Sequence, residues 1–420
     1  MRPIGIGNPR RAWPCVPGLP PMLRYVFPLS LLISTTAHAQ ARHAAALADD
    51  DVILVTATRL SVTADQVPAA LTVIDKAAID ASQAAVVSDL LVRTPGTTIT
   101  RNGGYGTSTG LRIRGADSDH TVLVIDGVKL NDPSSTGGGY NFANLMVGGT
   151  ARIEILRGPQ SILWGSQAIG GVVNIVSAMP EGPLQGSFDL EGGPRDTVYG
   201  RAAVGGGSER VSWRVAGSSF TTDGISAYSK RAGAREADGS HSRAASARVK
   251  LGLSDVLSVD LRASYSDSSA DLDSTTGDTA AFADVIETIG YAGLNFDLLD
   301  GRFSNRIAFS YTSTDRDQFN PALPVPRTLD ARGENRRWEY QGNLMLVPGW
   351  TVMFGVETEQ ATIRTASPTV RRPNPVPVRG EDRTDSVYGL LQVEPVDALT
   401  VTAGVRYADH DSFGGATLFG

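Results

Sequence analysis

The residues able to do chemistry are few in this chain, and their spacing does not suit it. Five histidines stand at positions 38, 43, 120, 241 and 410, too scattered for a zinc set or a nucleophile–base–acid triad. The single cysteine, Cys15, falls in what reads as a removable leader, so the mature chain has neither disulfides nor thiol chemistry. Asp126 and Glu154 are conceivable as an acid and base pair. Asp126, however, is followed by Gly127, a dipeptide that favours a tight hairpin turn. The run "GGYGTSTG" has the glycines of a dinucleotide loop at the wrong spacing, with a strand after it instead of a helix, and "GSQAIGG" lacks the lysine of a phosphate loop. No catalytic residue is assigned, and the chain reads as a non-enzyme.

The remaining signals are about position. In "MLRYVFPLSLLISTTAHAQ", Arg24 opens an apolar stretch from Tyr25 to Ile33, and Ala37-His38-Ala39 offers a small-residue cleavage site. The stretch is shorter than the ~20 residues of a membrane anchor, so export with cleavage is expected, and residues 1–39 form the leader. The whole chain carries 38 basic and 44 acidic residues. Its net acidity and the lack of a Lys/Arg block speak against nucleic acid as a partner.

Two textures follow. Residues 67–178 mix short strand-like runs, helix-like pieces and Gly-rich loops, as a compact α/β domain does. "KAAIDASQAAVVSDLLVRTPG" reads as two short helices, the second capped by Ser88 and stopped at Pro95-Gly96. From residue 185 to 420 the period becomes two, as in "LSVDLRASY", where Leu257, Val259, Leu261, Ala263 and Tyr265 alternate with polar partners. Short turns at Ser254-Asp255, Asp300-Gly301 and Pro348-Gly349 alternate with polar stretches near 267–286, 314–335 and 364–384, read here as long loops. That asymmetry, with aromatics such as Tyr265, Tyr311, Trp338, Trp350 and Tyr407 near strand ends, favours an outer-membrane barrel over a soluble sandwich. The fold expected from these textures is a compact α/β domain joined to an antiparallel transmembrane β-barrel.

In residues as well as in order, the chain resembles the TonB-dependent outer-membrane receptors, which implies the fold class of an α/β plug domain inside an antiparallel transmembrane β-barrel. "DVILVTA" at 51–57 looks like the TonB box, within a box-and-linker segment at 40–66. "LLVRTPG", "LRIRG", "VLVIDGVKLND" and "IEILRGPQSILWGSQAIGGVVNIVS" look like the plug signatures. Within the family the wording "VTATR", "ITRNGG" and "SQAIGGVVNI" is most similar to the cobalamin (vitamin B12) receptor subfamily.

The resemblance implies roles residue by residue. Asp51, Val52, Ile53, Leu54, Val55, Thr56 and Ala57 would be an unpaired strand donated to TonB of the inner-membrane energising complex, by β-augmentation. Asn102, Ser108, Asn131, Tyr140 and Asn141, in the loops 101–110 and 131–144, would face outward and touch substrate, which is cobalamin or a metal chelate. Arg112, Arg114, Glu154 and Arg157 would contact the barrel wall. Asp238, Asp271 and Asp273 would be calcium ligands in external loops, since that ion takes several oxygens. Outer-membrane lipid would surround a monomer. The family closes its barrel with about 22 strands, inside the range open to such barrels, whereas roughly eleven are countable here. The barrel is therefore expected to be cut short, in a fragment or a truncated gene product.

Overall fold

The computed structural model describes residues 54–55, 58–59, 62–180, 182–274, 277–396 and 399–420. Of the box, Asp51, Val52, Ile53, Thr56 and Ala57 lie outside the described residues. Leu54 and Val55 form β1 (Leu54–Val55) and pair antiparallel with β2 (Val62–Thr63). These two box residues are therefore backbone-paired within the chain, in contrast to the free strand expected.

The plug follows as β3 (Ala70–Ile74), α1 (Lys76–Ser82), α2 (Val87–Leu91), β4 (Thr97–Arg101), β5 (Thr109–Ile113), β6 (Thr121–Ile125), β7 (Val128–Leu130), β8 (Thr150–Arg157), α3 (Ser161–Trp164) and β9 (Gly171–Ser177). Five of its strands form a sheet in the order β3-β8-β9-β6-β7, and β4 pairs with β5 in a separate hairpin. Asp75 caps α1 by accepting from the Ala78 N–H at 2.7 Å. The cap residue of α2 is Val86, not Ser88. Ser88 lies inside the helix and is buried, where its hydroxyl accepts from Arg101 Nη2 at 2.8 Å. The turn between β6 and β7 is the one the sequence announces: Asp126 and Gly127 take φ of 50° and 85°, the left-handed pair that a tight hairpin needs.

The barrel strands are β10 (Gln185–Gly193), β11 (Thr197–Gly207), β12 (Val211–Thr222), β13 (Ser240–Gly252), β14 (Leu257–Ser274), β15 (Gly277–Leu298), β16 (Phe303–Phe319), β17 (Arg327–Val347), β18 (Trp350–Ala366), β19 (Val378–Val396), β20 (Leu399–His410) and β21 (Gly414–Phe419). All twelve form one sheet in chain order, with β10 and β21 at its two edges. The sheet is not closed among the described residues. Of the polar stretches, 364–384 keeps a loop at 367–377 between β18 and β19. Those near 267–286 and 314–335 are largely strand, not loop: β14 and β15 remain paired from Leu257↔Phe296 out to Ser274↔Gly277. A membrane crossing needs only ~10 residues of strand, so these hairpins continue well past it, and their polar residues are wet strand.

The period of two sets the faces. Leu261 stands across from Val249 and Ala292, and all three share the outer face with Tyr265. The plug core does not end at the plug. One side of its sheet packs Leu123, Ile153 and Phe142 onto Ile289, Tyr291 and Ala308 of the wall. The other packs Leu156, Val172 and Trp164 onto Met353 and Tyr388.

Candidate functional site

Arg59, two residues beyond the box, is set deep in the seam between plug and wall, its side chain 2% exposed. Nη1 donates to the Tyr388 hydroxyl at 2.8 Å, and Nη2 lies 3.4 Å from Glu357 Oε2. Glu339 is 3.7 Å away, and the guanidinium stands 4.3 Å over the Trp164 ring. The Arg59 carbonyl accepts from Gln341 Nε2 at 3.0 Å, which fixes the backbone too. These partners come from neighbouring inner-face positions: Glu339 on β17 faces Glu357 on β18 in register.

More cations than anions meet here. Glu357 is also bonded by Arg337 and Arg406, and Glu339 by Arg306 at 2.8 Å and Arg337 at 3.4 Å. Four guanidiniums thus share two carboxylates. Burial of such ions is costly unless each is paired, and the Nε of Arg59, Arg306, Arg337 and Arg406 is in each case buried without an acceptor. The cluster holds the segment next to the box by many contacts, yet has cations to spare. In the sequence Arg59 is only part of the wording "VTATR", and its role needs wall partners about 280 to 330 positions away along the chain.

The wall contacts assigned from the sequence fall elsewhere. Arg112 pairs with Asp117 of the plug at 3.3 Å. Arg157 donates to the carbonyls of Ala70, Leu71 and Pro95. Glu154 is fully buried, with Arg152 at 2.7 Å and the Asn174 amide at 2.8 Å. Arg114 takes a left-handed φ of 53° and lies beside Gly158. The shared reason is that β5 and β8 belong to the plug's own strand pairs, so their charges satisfy plug groups. Contacts to the wall come instead from Lys129 to Glu359 at 3.1 Å, Asp132 to Arg316 at 3.5 Å and Asp126 to Arg248 at 3.5 Å.

The ligand candidates divide in two. Asn102 and Ser108 are exposed at the tip of the β4–β5 hairpin, closed by a bond from the Asn102 N–H to the Ser108 carbonyl at 3.1 Å. Tyr140 is turned away from solvent: it is buried, stacks edge-on against Phe142, and donates to Glu287 of the wall at 2.9 Å. Burial, then the Glu287 charge, pushes its phenol well above the usual range. Asn141 spends its side-chain oxygen on the Thr109 and Ala143 N–H groups. The Asn131 carbonyl accepts from Asn335 at 3.1 Å. The 131–144 loop is thereby strapped to the wall, and the 101–110 tip meets the wall through Tyr105, which stacks edge-on against Phe220 at 5.1 Å.

Asp238, Asp271 and Asp273 lie close together where external segments meet. Asp238 accepts from the Ala227 N–H at 2.6 Å, while its Oδ1 is buried without a partner. Asp273 takes the N–H groups of Tyr228 and Thr279, and Asp271 that of Gly239. With those oxygens turned to backbone donors, no three acidic or imidazole side chains among the described residues are arranged to hold a metal. Burial, with Asp273 and Asp271 as like charges, pushes the Asp238 carboxyl up to about 6 against the pull of the Ala227 N–H.

Comparison with known proteins covers both regions. Residues 63–172 match the TonB-dependent Receptor Plug Domain, and residues 183–419 the TonB dependent receptor-like beta-barrel. The chain is 27% identical over 368 residues to the vitamin B12 transporter BtuB of Photobacterium profundum, spanning 87% of this chain and 58% of that protein. A 139-residue stretch is 37% identical to the vitamin B12 transporter BtuB of Vibrio vulnificus, or 33% of this chain and 22% of that one. The chain thus spans little more than half the length of the longer-matching relative. Among solved structures it is similar to the siderophore receptor PirA from Acinetobacter baumannii, with a TM-score of 0.66 at 19% identity over 83% of this chain and 57% of that one. It is also similar to the ferripyoverdine receptor of Pseudomonas aeruginosa, with a TM-score of 0.69 at 15% identity over 86% and 54%. At such identities the structural likeness concerns the fold.

Proposed function

The chain belongs to the TonB-dependent receptors, β-barrel proteins of the bacterial outer membrane, and from that premise we propose that it serves the energised uptake of cobalamin. The observation that carries the coupling step is the burial of Arg59 directly behind the box. A partner that adds a strand to Asp51–Ala57 gains main-chain hydrogen bonds, and a pull on that strand reaches Arg59 first. Arg59 leaves Glu357 still bonded to Arg337 and Arg406, so its departure strands no carboxylate. The wall charges stay paired while the plug segment is drawn out. No bond in the substrate changes.

Cobalamin is favoured over a ferric siderophore or other metal chelate by the relatives named above. Substrate would meet Asn102 and Ser108 first, with Asn131 behind them. The strapped Tyr140 and Asn141 would take part once Tyr140 leaves Glu287. Calcium enters this reading at the Asp238 loop, where an unpartnered oxygen and two further carboxylates supply the ligand type, once the N–H donors on Asp271 and Asp273 are released.

Equilibrium binding of cobalamin to the receptor in outer membranes, with a ferric siderophore as competitor and with or without calcium, tests the substrate. Displacement by the siderophore alone would replace cobalamin with a metal chelate. Val55→Pro tests the coupling: proline removes a ladder donor, so surface binding should persist and uptake cease. Uptake that survives would remove the box assignment, and binding with no uptake in either form would leave a surface-binding remnant.

A further inference from the structure

Between the plug and strands β12–β15 lies a cavity of about 130 Å³. Small inward side chains of the wall, among them Ala216, Ser218, Ser246 and Ser264, form one side. Asp126, Met146, Gly149 and Ser177 of the plug form the other. A second cavity of about 250 Å³, against β10–β12 and lined in part by Lys76 and Arg201, shares Gly149, Ala178 and Arg214 with the first. Arg214 therefore stands between two adjoining spaces.

The charges around the first cavity are unevenly used. Asp126 is committed to the Ser177 N–H at 2.9 Å and to Arg248 at 3.5 Å. Glu287 is committed to Tyr140 at 2.9 Å. Arg248 and Arg262 straddle Asp260 at 2.7 and 2.6 Å. Arg262 Nη1 is nevertheless buried with no acceptor. Arg214 has no ion-pair or hydrogen-bond partner among the described residues, and Asp126 is the carboxylate that acts on it. Gly149, at a φ of 95°, makes room for it: a Cβ there would lie 2.9 Å from Arg214 Nη1. Arg262 is held by Asp260 and stacked over the Tyr291 ring at 4.2 Å, so the unpaired cation on the lining is Arg214.

Buried N–H groups without acceptors call for an explanation, and guanidinium forks suit carboxylate and phosphate oxygens. The lining is mostly apolar, with the charged groups of Asp126, Arg214, Arg248, Arg262 and Glu287 set into it, and the space is several times the ~10–15 Å³ that one water needs. We infer that the gap is an oxyanion seat, held by Arg214 beside Gly149, that takes a phosphate or carboxylate group, whether of a free small anion or of a ligand passing between plug and wall. It lies apart from the outward hairpin tip, and it does not depend on cobalamin being the substrate.

The test uses the full chain in detergent with Ser246→Cys, a near-isosteric change, after removal of the leader that holds the sole native cysteine. Modification by a sulfonate-bearing thiosulfonate reagent is compared with its trimethylammonium analogue, each rate normalised to a free thiol. The anionic reagent should be faster by about tenfold, the enrichment expected of a cleft of one charge sign. Arg214→Gln should bring the ratio toward one, and Arg214→Lys should keep it above one, which separates loss of charge from misfolding. Slowing by inorganic phosphate would assign the seat to free anions, and slowing only by cobalamin, through its phosphodiester, to a passing ligand. Equal rates, a faster cationic reagent, or a ratio unmoved by Arg214→Gln would overturn the proposal. None of these readouts needs uptake, so a failed cobalamin assay and a failed seat remain distinguishable.

Discussion

Arg59 shows how a residue with an ordinary place in a sequence acquires a role only through partners far along the chain. Removing one member of a buried ion pair commonly costs about 3–5 kcal/mol because the other charge is left bare. Here Glu357 keeps two other arginines, so Arg59→Ala should cost less stability than that, while freeing the box. A cysteine at position 55 should label several times faster in Arg59→Ala than in the parent, with Arg59→Lys between them; unchanged labelling would show that β1 and β2 hold the box unaided. Asp238 gives a second test at this scale. Its folded value of about 6 lies above the ordinary 3.8, so its contribution to loop stability is whole below 3.8 and is lost as pH rises through about 6. Without calcium, amide-exchange protection of residues 223–239 should therefore increase as pH falls from 7 to about 5. Calcium, which must displace the proton, should bind more weakly over the same interval, and protection that is flat with pH would exclude Asp238 as the titrating group.

At the scale of elements, much was legible because alternation and turn chemistry are local. Asp126-Gly127 sits in the hairpin its type predicts, and the inward and outward faces of β14 follow directly from "LSVDLRASY". What misled was also local. Polar stretches such as 267–286 looked like loops, yet a paired strand in water satisfies its backbone as well as one in lipid does, so polarity alone does not end a strand. Ser88 looked like a cap because the packing of α2 against Arg101 cannot be read from the residues before a helix. Likewise, the charges of β5 and β8 were placed on the wall by the family resemblance, and alternation, which reveals two faces without telling which one meets the wall, offers no check on it. Leu261 is exposed on the outer face, in the first half of β14. Leu261→Arg should then cost about 2–4 kcal/mol if it stands near the midplane, measured by denaturant unfolding in bilayers. An inward change such as Ser266→Lys should cost far less, and equal costs for the two would put the faces the wrong way round.

At the scale of the whole molecule, plug and sheet share their cores, which no motif in the sequence reveals. A family signature marks the plug as a unit of sequence, but its sheet is covered on one side by Ile289, Tyr291 and Ala308 and on the other by Met353 and Tyr388. Its loop and strand ends are tied to the wall through Lys129, Asp132 and Tyr140. A plug cut out at residues 62–178 would expose apolar surface on both faces of a five-stranded sheet and leave those polar groups without partners. At ~25 cal/mol per Å² of apolar surface, losing even a few hundred Å² of cover removes much of the ~5–15 kcal/mol on which a domain stands. The excised plug should therefore bind a hydrophobic dye, lack a sharp near-ultraviolet dichroism spectrum and melt without a cooperative transition. A sharp two-state melt would instead mean that the plug folds alone and docks as a finished body. The ion pairs with the wall would then be attachments to it, and the work of uptake would lie in moving the plug and not in rearranging it.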